Sequence, residues 1–173
     1  GMWCDSKDGK TPIETIIVKE LIPHIDENFR TIASREGRMI EGFSMGGYGA
    51  ARLGFKYNSL FSAISILGGG PLQKVFSPDI GPKQNAYLRL KVREFIYGND
   101  QEYFKKQSPV FLAEENASNL RTDTNIRQLI GEHDFTLPAN REFHSHLTKL
   151  EVPHKFLVVP NVKHDVMELF NAI

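Results

Sequence analysis

The chain has 173 residues, of which 40% are hydrophobic and 24% charged, and its 21 Lys and Arg residues balance its 21 Asp and Glu residues. This length fits one domain, so residues 1–173 are interpreted as a single domain. Balanced charge creates no long-range field for nucleic acid or an anionic membrane, and neither is expected as a partner. The single cysteine, Cys4, excludes an internal disulfide framework and a cysteine-based metal site.

The first predicted element is a helix that begins near Pro12. Thr11 and Glu14 have capping-box spacing, with the proline at the first helical position. Apolar residues then recur every four positions, which predicts an amphipathic helix packed on a sheet. These residues are Ile13, Ile17, Leu21, Ile25 and Phe29. Pro23 lacks a backbone donor and predicts a kink in this helix.

Four short apolar runs predict strands, at residues 38–43, 63–67, 125–130 and 156–159. Helical patterns lie between them, at residues 45–57, 88–96, from Ser108-Pro109 onward, and at 137–150. Residues 88–92 also alternate like a strand, and we favour the helix there. The alternation predicts an α/β fold with a parallel sheet, whose ligand lies beyond the carboxyl ends of the strands.

A Gly-x-Ser-x-Gly motif, Gly42-Phe43-Ser44-Met45-Gly46, joins the first predicted strand to its helix. In such an elbow the serine occupies a strained turn that exposes its hydroxyl, and the two glycines avoid collisions with neighbouring backbone. The motif predicts Ser44 as a nucleophile. The alternative is a glycine-rich helix start in which Gly46, Gly47 and Gly49 only allow close packing on the sheet.

A serine nucleophile needs a histidine base and a carboxylate that orients the histidine. Both follow later predicted strands, in the order acid then histidine, at 131–134 and at His164. Asp134 and Glu132 compete for the role of acid, and we favour Asp134. We predict His164 as the base, and surface or packing roles for His24, His144, His146 and His154.

No cofactor is predicted. His144 and His146 are two residues apart on a predicted helix and do not face each other, so together with His133 they make a poor metal site. The sequence contains no HExxH motif, dinucleotide fingerprint or phosphate loop.

These residues resemble the esterase D family, also called the putative esterase family, of α/β-hydrolases, and in particular its bacterial feruloyl and acetyl xylan esterase branch. The resemblance extends over nearly the whole chain. Its carrying segments are 18–26, 41–47, 108–109, 131–134 and His164. It implies a triad of Ser44, Asp134 and His164 that hydrolyses carboxylic esters through an acyl-enzyme, with carbohydrate-linked feruloyl or acetyl esters as the expected substrates.

The resemblance also implies that the Met45 amide, next to Gly46, donates to the oxyanion of the reaction. Trp3 and Tyr48 are candidates for stacking on an aromatic acyl group or a sugar. Relatives with the same triad pass the acyl group to a sugar, so an acyltransferase is an alternative function.

The chain departs from the family pattern before Trp3, where the usual amino-terminal strands and a loop are absent. We therefore expect the C-terminal part of an α/β-hydrolase, with about four strands. In the family the absent part holds the second oxyanion donor, and loss of one such donor costs about 2.7 to 4 kcal/mol of transition-state stabilisation. A catalytically impaired fragment or a binding module is thus a further alternative.

The departure leaves one strand without its usual neighbour. The strand at 38–43 would have an unpaired edge, and we expect it to be covered either by a second copy in a homodimer or by loops and the segment around Trp3. Gly1 before Met2 is typical of a residue left by tag cleavage, and any export signal is expected upstream. The family resemblance favours a secreted or periplasmic location.

Overall fold

The computed structural model describes residues 1–77 and 85–172. A four-stranded parallel sheet lies at its centre, in the order β1-β2-β3-β4. The strands are β1 (Met39–Phe43), β2 (Ala63–Leu67), β3 (Asn125–Gly131) and β4 (Lys155–Val159). Parallel strands are confirmed at all four predicted positions, so their carboxyl ends lie at one edge of the sheet.

Helices precede, connect and follow the strands. They are α1 (Ile13–Thr15), a π-helical stretch (Ile16–Leu21), α2 (Ile22–Asn28), α3 (Met45–Lys56), α4 (Ala86–Phe95), α5 (Gln101–Gln107), α6 (Pro109–Glu115), α7 (Ala117–Thr122), α8 (Leu137–Lys149) and α9 (Val166–Asn171), with a 3₁₀ turn at Arg35–Gly37. The helices predicted at 45–57, 88–96, from Pro109 and at 137–150 are confirmed. Residues 78–84, between β2 and α4, lie outside the described residues. In the part of the chain that is described, no helix has the length and apolar character needed to cross a membrane.

Each face of the sheet packs on its own hydrophobic cluster. On one face, Ile64, Ile66 and Ile126 belong to the larger core, which also contains Phe143 and Leu147 of α8. On the other face, Leu67 and Leu129 pack with Leu169 of α9. Helices cover both faces of the sheet, so the loops lie at the carboxyl ends of the strands. An α/β sheet binds its ligands at these ends.

The helical segment at residues 13–28 differs from its prediction. The capping box is wrong: Pro12 is the N-cap, no side chain caps it, and Glu14 is buried against other partners. The apolar stripe is only partly buried, because Leu21 is 49% and Phe29 60% exposed. The π-helical stretch ahead of Pro23 explains this, since its wider turns rotate residues four apart off a common face.

A buried charge cluster holds the amino-terminal segment on α3. Arg52 is fully buried and donates to a carboxylate oxygen of Glu14 and to the backbone carbonyl of Trp3. Burial alone would raise the pKa of Glu14, but the charge of Arg52 and donors from Lys56 and Tyr57 hold that pKa below its usual value. Glu14 is therefore ionised, and its pairing with Arg52 fixes residues 2–4 against the helix that follows Ser44.

The outer edge of β1 is unpaired in the described residues, because β1 pairs with β2 alone. The prediction that the segment around Trp3 covers this edge is wrong. Its indole lies against α3, where a Cβ added to Gly49 would be 2.6 Å from the ring. Ile32 and Met39, which lie before and at the start of β1, are exposed. Pairing of two copies at this edge stays a prediction.

We expect the chain to self-associate through β1, giving about twice the monomer mass by light scattering. Met39→Lys places a charge on the exposed edge strand and should lower the dimer fraction. Leu157→Lys, at an exposed position on the opposite edge strand β4, is the matched control and should leave the dimer intact. A wild-type monomer at high concentration would count against the prediction.

Candidate active site

Ser44 stands between the end of β1 and the start of α3 with φ at 56° and ψ at −117°. A positive φ is unusual for a residue with a side chain and persists only where the surroundings enforce it. A Cβ added to Gly42 would be 2.2 Å from the backbone oxygen of Gly46, so Gly42 must be glycine. A Cβ added to Gly46 would meet nothing within 4 Å. The predicted collision is thus confirmed for Gly42. It is wrong for Gly46, where an added side chain would point into open space.

Gly47 brings the first turn of α3 against the loop that follows β2. A Cβ added there would be 2.8 Å from Cα of Gly69 and 2.9 Å from the carbonyl oxygen of Leu67. Small residues therefore serve packing at Gly47 and Gly49, in addition to the turn at Ser44. The close packing proposed in the alternative interpretation is thus present at Gly47, which meets the loop after β2, and at Gly49, which meets Trp3, but not at Gly46.

The structure brings together the three residues that the sequence pattern singled out. Ser44 Oγ lies 2.9 Å from His164 Nε2, and His164 Nδ1 lies 2.7 Å from Asp134 Oδ2. The side chain of Asp134 is fully buried and that of His164 is 21% exposed. An ionised Asp134 accepts the Nδ1–H of His164, which leaves Nε2 to accept the Ser44 hydroxyl. The arrangement can remove a proton from Ser44.

Asp134 and Glu132 have different partners. The Oδ1 atom of Asp134 accepts hydrogen bonds from the backbone N–H (2.7 Å) and the hydroxyl (2.8 Å) of Thr136. Glu132 is exposed and accepts instead from the backbone N–H of Asn161, at 3.0 Å. The choice of Asp134 over Glu132 therefore agrees with the geometry.

The loops that carry the acid and the histidine are docked on each other. A Cβ added to Gly131 would be 2.3 Å from the carbonyl oxygen of Val162, and the His133 N–H donates to that oxygen at 2.8 Å. Gly68 has a φ of 50°, which favours glycine, and a Cβ there would be 3.0 Å from the Phe43 ring and 3.1 Å from Asp134 Oδ2. Sequence reasoning missed these contacts, although the glycines at the ends of β2 and β3 were the available signal.

Apolar side chains surround the reactive groups. Phe43 and Phe135 lie on the imidazole of His164, each with a ring centroid 4.6 Å from it, and Phe135 is 60% exposed. Trp3 is 36% exposed, and its indole Nε1 donates to the carbonyl oxygen of Met45 at 2.8 Å. Phe135 was missed by sequence reasoning; its place directly after Asp134 was the only signal.

Tyr48 does not lie at the surface, and the prediction that it stacks on a substrate is wrong. Its ring is fully buried and its hydroxyl lies 3.3 Å from that of Tyr97. Burial raises the pKa of Tyr48 to about 12. Cys4 is buried in the same core, and burial raises the pKa of its thiol to about 11. Cys4 is thus a neutral thiol and not a competing nucleophile.

The remaining histidines have other partners. His144 Nδ1 lies 2.8 Å from His154 Nε2, and His146 Nε2 lies 3.1 Å from the carbonyl oxygen of Val110. Partial burial and the neighbouring His154 lower the pKa of His144. Over residues 1–77 and 85–172, no three His, Cys, Asp or Glu side chains are grouped to hold a metal ion.

A cavity of about 430 Å³ lies at the amino ends of the strands, where its lining includes the first residue of each strand. This is the edge opposite Ser44, which follows the last residue of β1. Ser44, Asp134 and His164 do not line this cavity. The candidate active site is therefore identified from the hydrogen bonds among these three residues.

The sequence matches the family described as "Putative esterase" over residues 4–165. The chain belongs to this family. Esterase MT1326 and Esterase Rv1288, from two Mycobacterium tuberculosis strains, are each 45% identical to it over 56 residues, or 32% of this chain and 12% of the relative.

Solved structures resemble the chain over almost its whole length. A ferulic acid esterase has a TM-score of 0.74 and 26% identity, with 97% of this chain and 59% of that chain covered. The S-formylglutathione hydrolase FrmB from Staphylococcus aureus has a TM-score of 0.73 and 19% identity, with 99% and 65% covered. The fold is that of the α/β-hydrolases. The chain spans less than two thirds of the length of these structures and 12% of the curated relatives.

Gly42 and Gly46 give a matched pair of variants. Gly42→Ala forces a side chain into the backbone of Gly46 and should lower the free energy of unfolding by about 1–3 kcal/mol or more. Gly46→Ala adds a methyl group in open space within α3 and should leave stability unchanged or raise it by about 0.4–1 kcal/mol. Urea unfolding monitored by circular dichroism measures both, and equal losses would contradict the asymmetry of the elbow.

Proposed function

We propose that this chain hydrolyses carboxylic esters through an acyl-enzyme formed on Ser44. The observation that carries the proposal is the hydrogen-bonded series Ser44–His164–Asp134, with Ser44 on a strained turn at the carboxyl end of the sheet. Membership of an esterase family and the likeness to a ferulic acid esterase support it.

Formation of the acyl-enzyme starts with His164. Its Nε2 takes the hydroxyl proton as Ser44 Oγ attacks the carbonyl carbon of the ester. The buried carboxylate of Asp134 holds the imidazole through Nδ1–H and stabilises the imidazolium that results. The rings of Phe43 and Phe135 pack against the imidazole and restrict its rotation.

The negative charge on the former carbonyl oxygen needs hydrogen-bond donors. The Met45 amide is the first of α3, a 12-residue helix, so it has no acceptor within that helix and lies at its positive end. It supplies one donor to the oxyanion. His164 then returns its proton to the leaving alcohol, and water repeats the two steps to release the acid.

The finer part of the proposal concerns the substrate, a feruloyl or acetyl ester on a carbohydrate. Two exposed rings contact neighbours of Ser44: Phe135 lies on His164, and Trp3 is hydrogen-bonded to the carbonyl oxygen of Met45. Such rings suit an aromatic acyl group or the face of a sugar. The ferulic acid esterase among the similar structures supports the same class of substrate.

Replacement of Ser44 by alanine tests the proposed activity. Turnover of p-nitrophenyl acetate should fall by at least about a thousand-fold, to the background hydrolysis rate, because no other group carries the acyl intermediate. Ser118→Ala, at an exposed serine of α7, is the control and should keep the wild-type rate. Equal rates for wild type and Ser44→Ala would instead favour a non-catalytic binding module.

Replacement of Trp3 by alanine tests the substrate. If the indole stacks on the acyl group, kcat/KM for a feruloyl ester should fall about two- to ten-fold more than kcat/KM for an acetyl ester. Trp3→Phe keeps a ring and should restore most of that difference. Equal losses for both esters would mean that Trp3 supports α3 and does not contact the acyl group.

A further inference from the structure

One peptide unit of the loop after β2, that between Gly69 and Gly70, links the backbone of Ser44 to a side chain of α8. The N–H of Gly70 donates to the carbonyl oxygen of Ser44, at 3.2 Å. The carbonyl of the same peptide unit, that of Gly69, accepts a hydrogen bond from the side-chain amide of Asn140, at 2.8 Å. One side chain of α8 thus reaches the main chain of the nucleophile through one peptide.

The same amide reaches the hydroxyl of Ser44 by a second path. Nδ2 of Asn140 also donates to the carbonyl oxygen of Thr136 (3.0 Å) and lies 3.3 Å from its Oγ1. Thr136 donates twice to Asp134, and Asp134 is paired with His164, whose Nε2 faces Ser44 Oγ. The two paths form a closed ring of hydrogen bonds. This ring includes both the carbonyl oxygen and the hydroxyl of Ser44.

Asn140 is suited to join these paths. It is fully buried, and its Oδ1 accepts from Nε2 of Gln128 in β3 at 2.7 Å, which fixes the orientation of the amide. The two hydrogens of Nδ2 are then directed at Gly69, in the loop after β2, and at Thr136, in the loop after β3. Neither an aspartate nor a leucine supplies such donors, and a buried polar group is costly unless it is paired.

We propose that Asn140 is a positioning residue of the ester hydrolysis, which sets the place of the acid and the base relative to Ser44. The inference rests on the proposed function. Nucleophile and base come from loops after different strands, and their 2.9 Å contact depends on how those loops are docked. A displacement of about 1 Å between such groups can reduce a rate by about 100-fold.

Ser108 is a buried polar residue outside this ring and serves as the matched control. It is fully buried, its hydroxyl donates to the carbonyl oxygen of Gln73 at 3.1 Å, and it caps α6. Its replacement by alanine removes hydrogen bonds of the same kind without touching Thr136 or Asp134. Ser108→Ala therefore reports the effect of removing a buried hydroxyl that lies outside the ring.

The first experiment compares the two variants in the full chain, with p-nitrophenyl acetate as substrate. Asn140→Leu should lower kcat by about 10- to 100-fold with KM little changed. Ser108→Ala should lower the melting temperature but keep kcat. Wild-type kcat in a folded Asn140→Leu variant, or kcat losses that simply follow melting temperature in both variants, would overturn the role.

The second experiment asks whether Asn140 acts through the acid. In an Asp134→Asn background, adding Asn140→Leu should lower kcat by much less than it does in the wild type, because the path through Thr136 to His164 is already broken and only the path through Gly69 remains. Losses that multiply in the double variant would overturn the proposal. If Asn140→Leu does not fold, Thr136→Val takes its place, since it removes the hydroxyl of the same path and should also lower kcat.

These outcomes separate the two proposals. If Ser44→Ala and Asp134→Asn hydrolyse the ester at the wild-type rate, the proposed function itself fails. If both lose activity while Asn140→Leu and Thr136→Val keep it, only the role of Asn140 fails.

Discussion

The backbone of Ser44 is held at φ 56° and ψ −117°, a conformation that costs a residue with a side chain on the order of 1–3 kcal/mol. Three close approaches enforce it: the end of β1 on α3 at Gly42, α3 on the loop after β2 at Gly47, and the N–H of Gly70 on the carbonyl of Ser44. Because the main chain is so constrained, the Cα–Cβ bond of Ser44 has one direction, and its hydroxyl lies 2.9 Å from His164 Nε2. Every other group of the site is placed to meet it there.

The acid and the base meet that hydroxyl because their loops are locked to each other. The loop after β4 lies directly on Gly131, and Gly68 leaves room for Asp134 between β2 and β3. Asn140 and Thr136 then tie the acid to the loop that holds Ser44. The reactive groups thus depend on glycines and buried polar side chains that take no part in the chemistry themselves.

Much of this was predictable from the sequence. Short apolar runs predict the strands, and helical spacing predicts the helices. Ser44, Asp134 and His164 each follow a predicted strand, in the order typical of this fold. The failures share a cause. The local pattern places Tyr48 at the surface, but it is buried with its hydroxyl beside that of Tyr97. The local pattern makes Glu14 part of a helix cap, but it is buried in an ion pair with Arg52. Both partners are distant in sequence. Leu21 and Phe29 fit a helical stripe that the π-helical turns disrupt.

The account depends most on Ser44 being the activated nucleophile, and covalent labelling tests this directly. The native chain would be treated with a fluorophosphonate probe, digested and mapped by mass spectrometry, with Asp134→Asn compared in parallel. The predicted result is a single modification on Ser44 that forms much more slowly in Asp134→Asn, because His164 is then no longer held in the form that accepts the Ser44 proton. Modification of another residue with Ser44 untouched, or labelling of Ser44 at the same rate in both proteins, would contradict it.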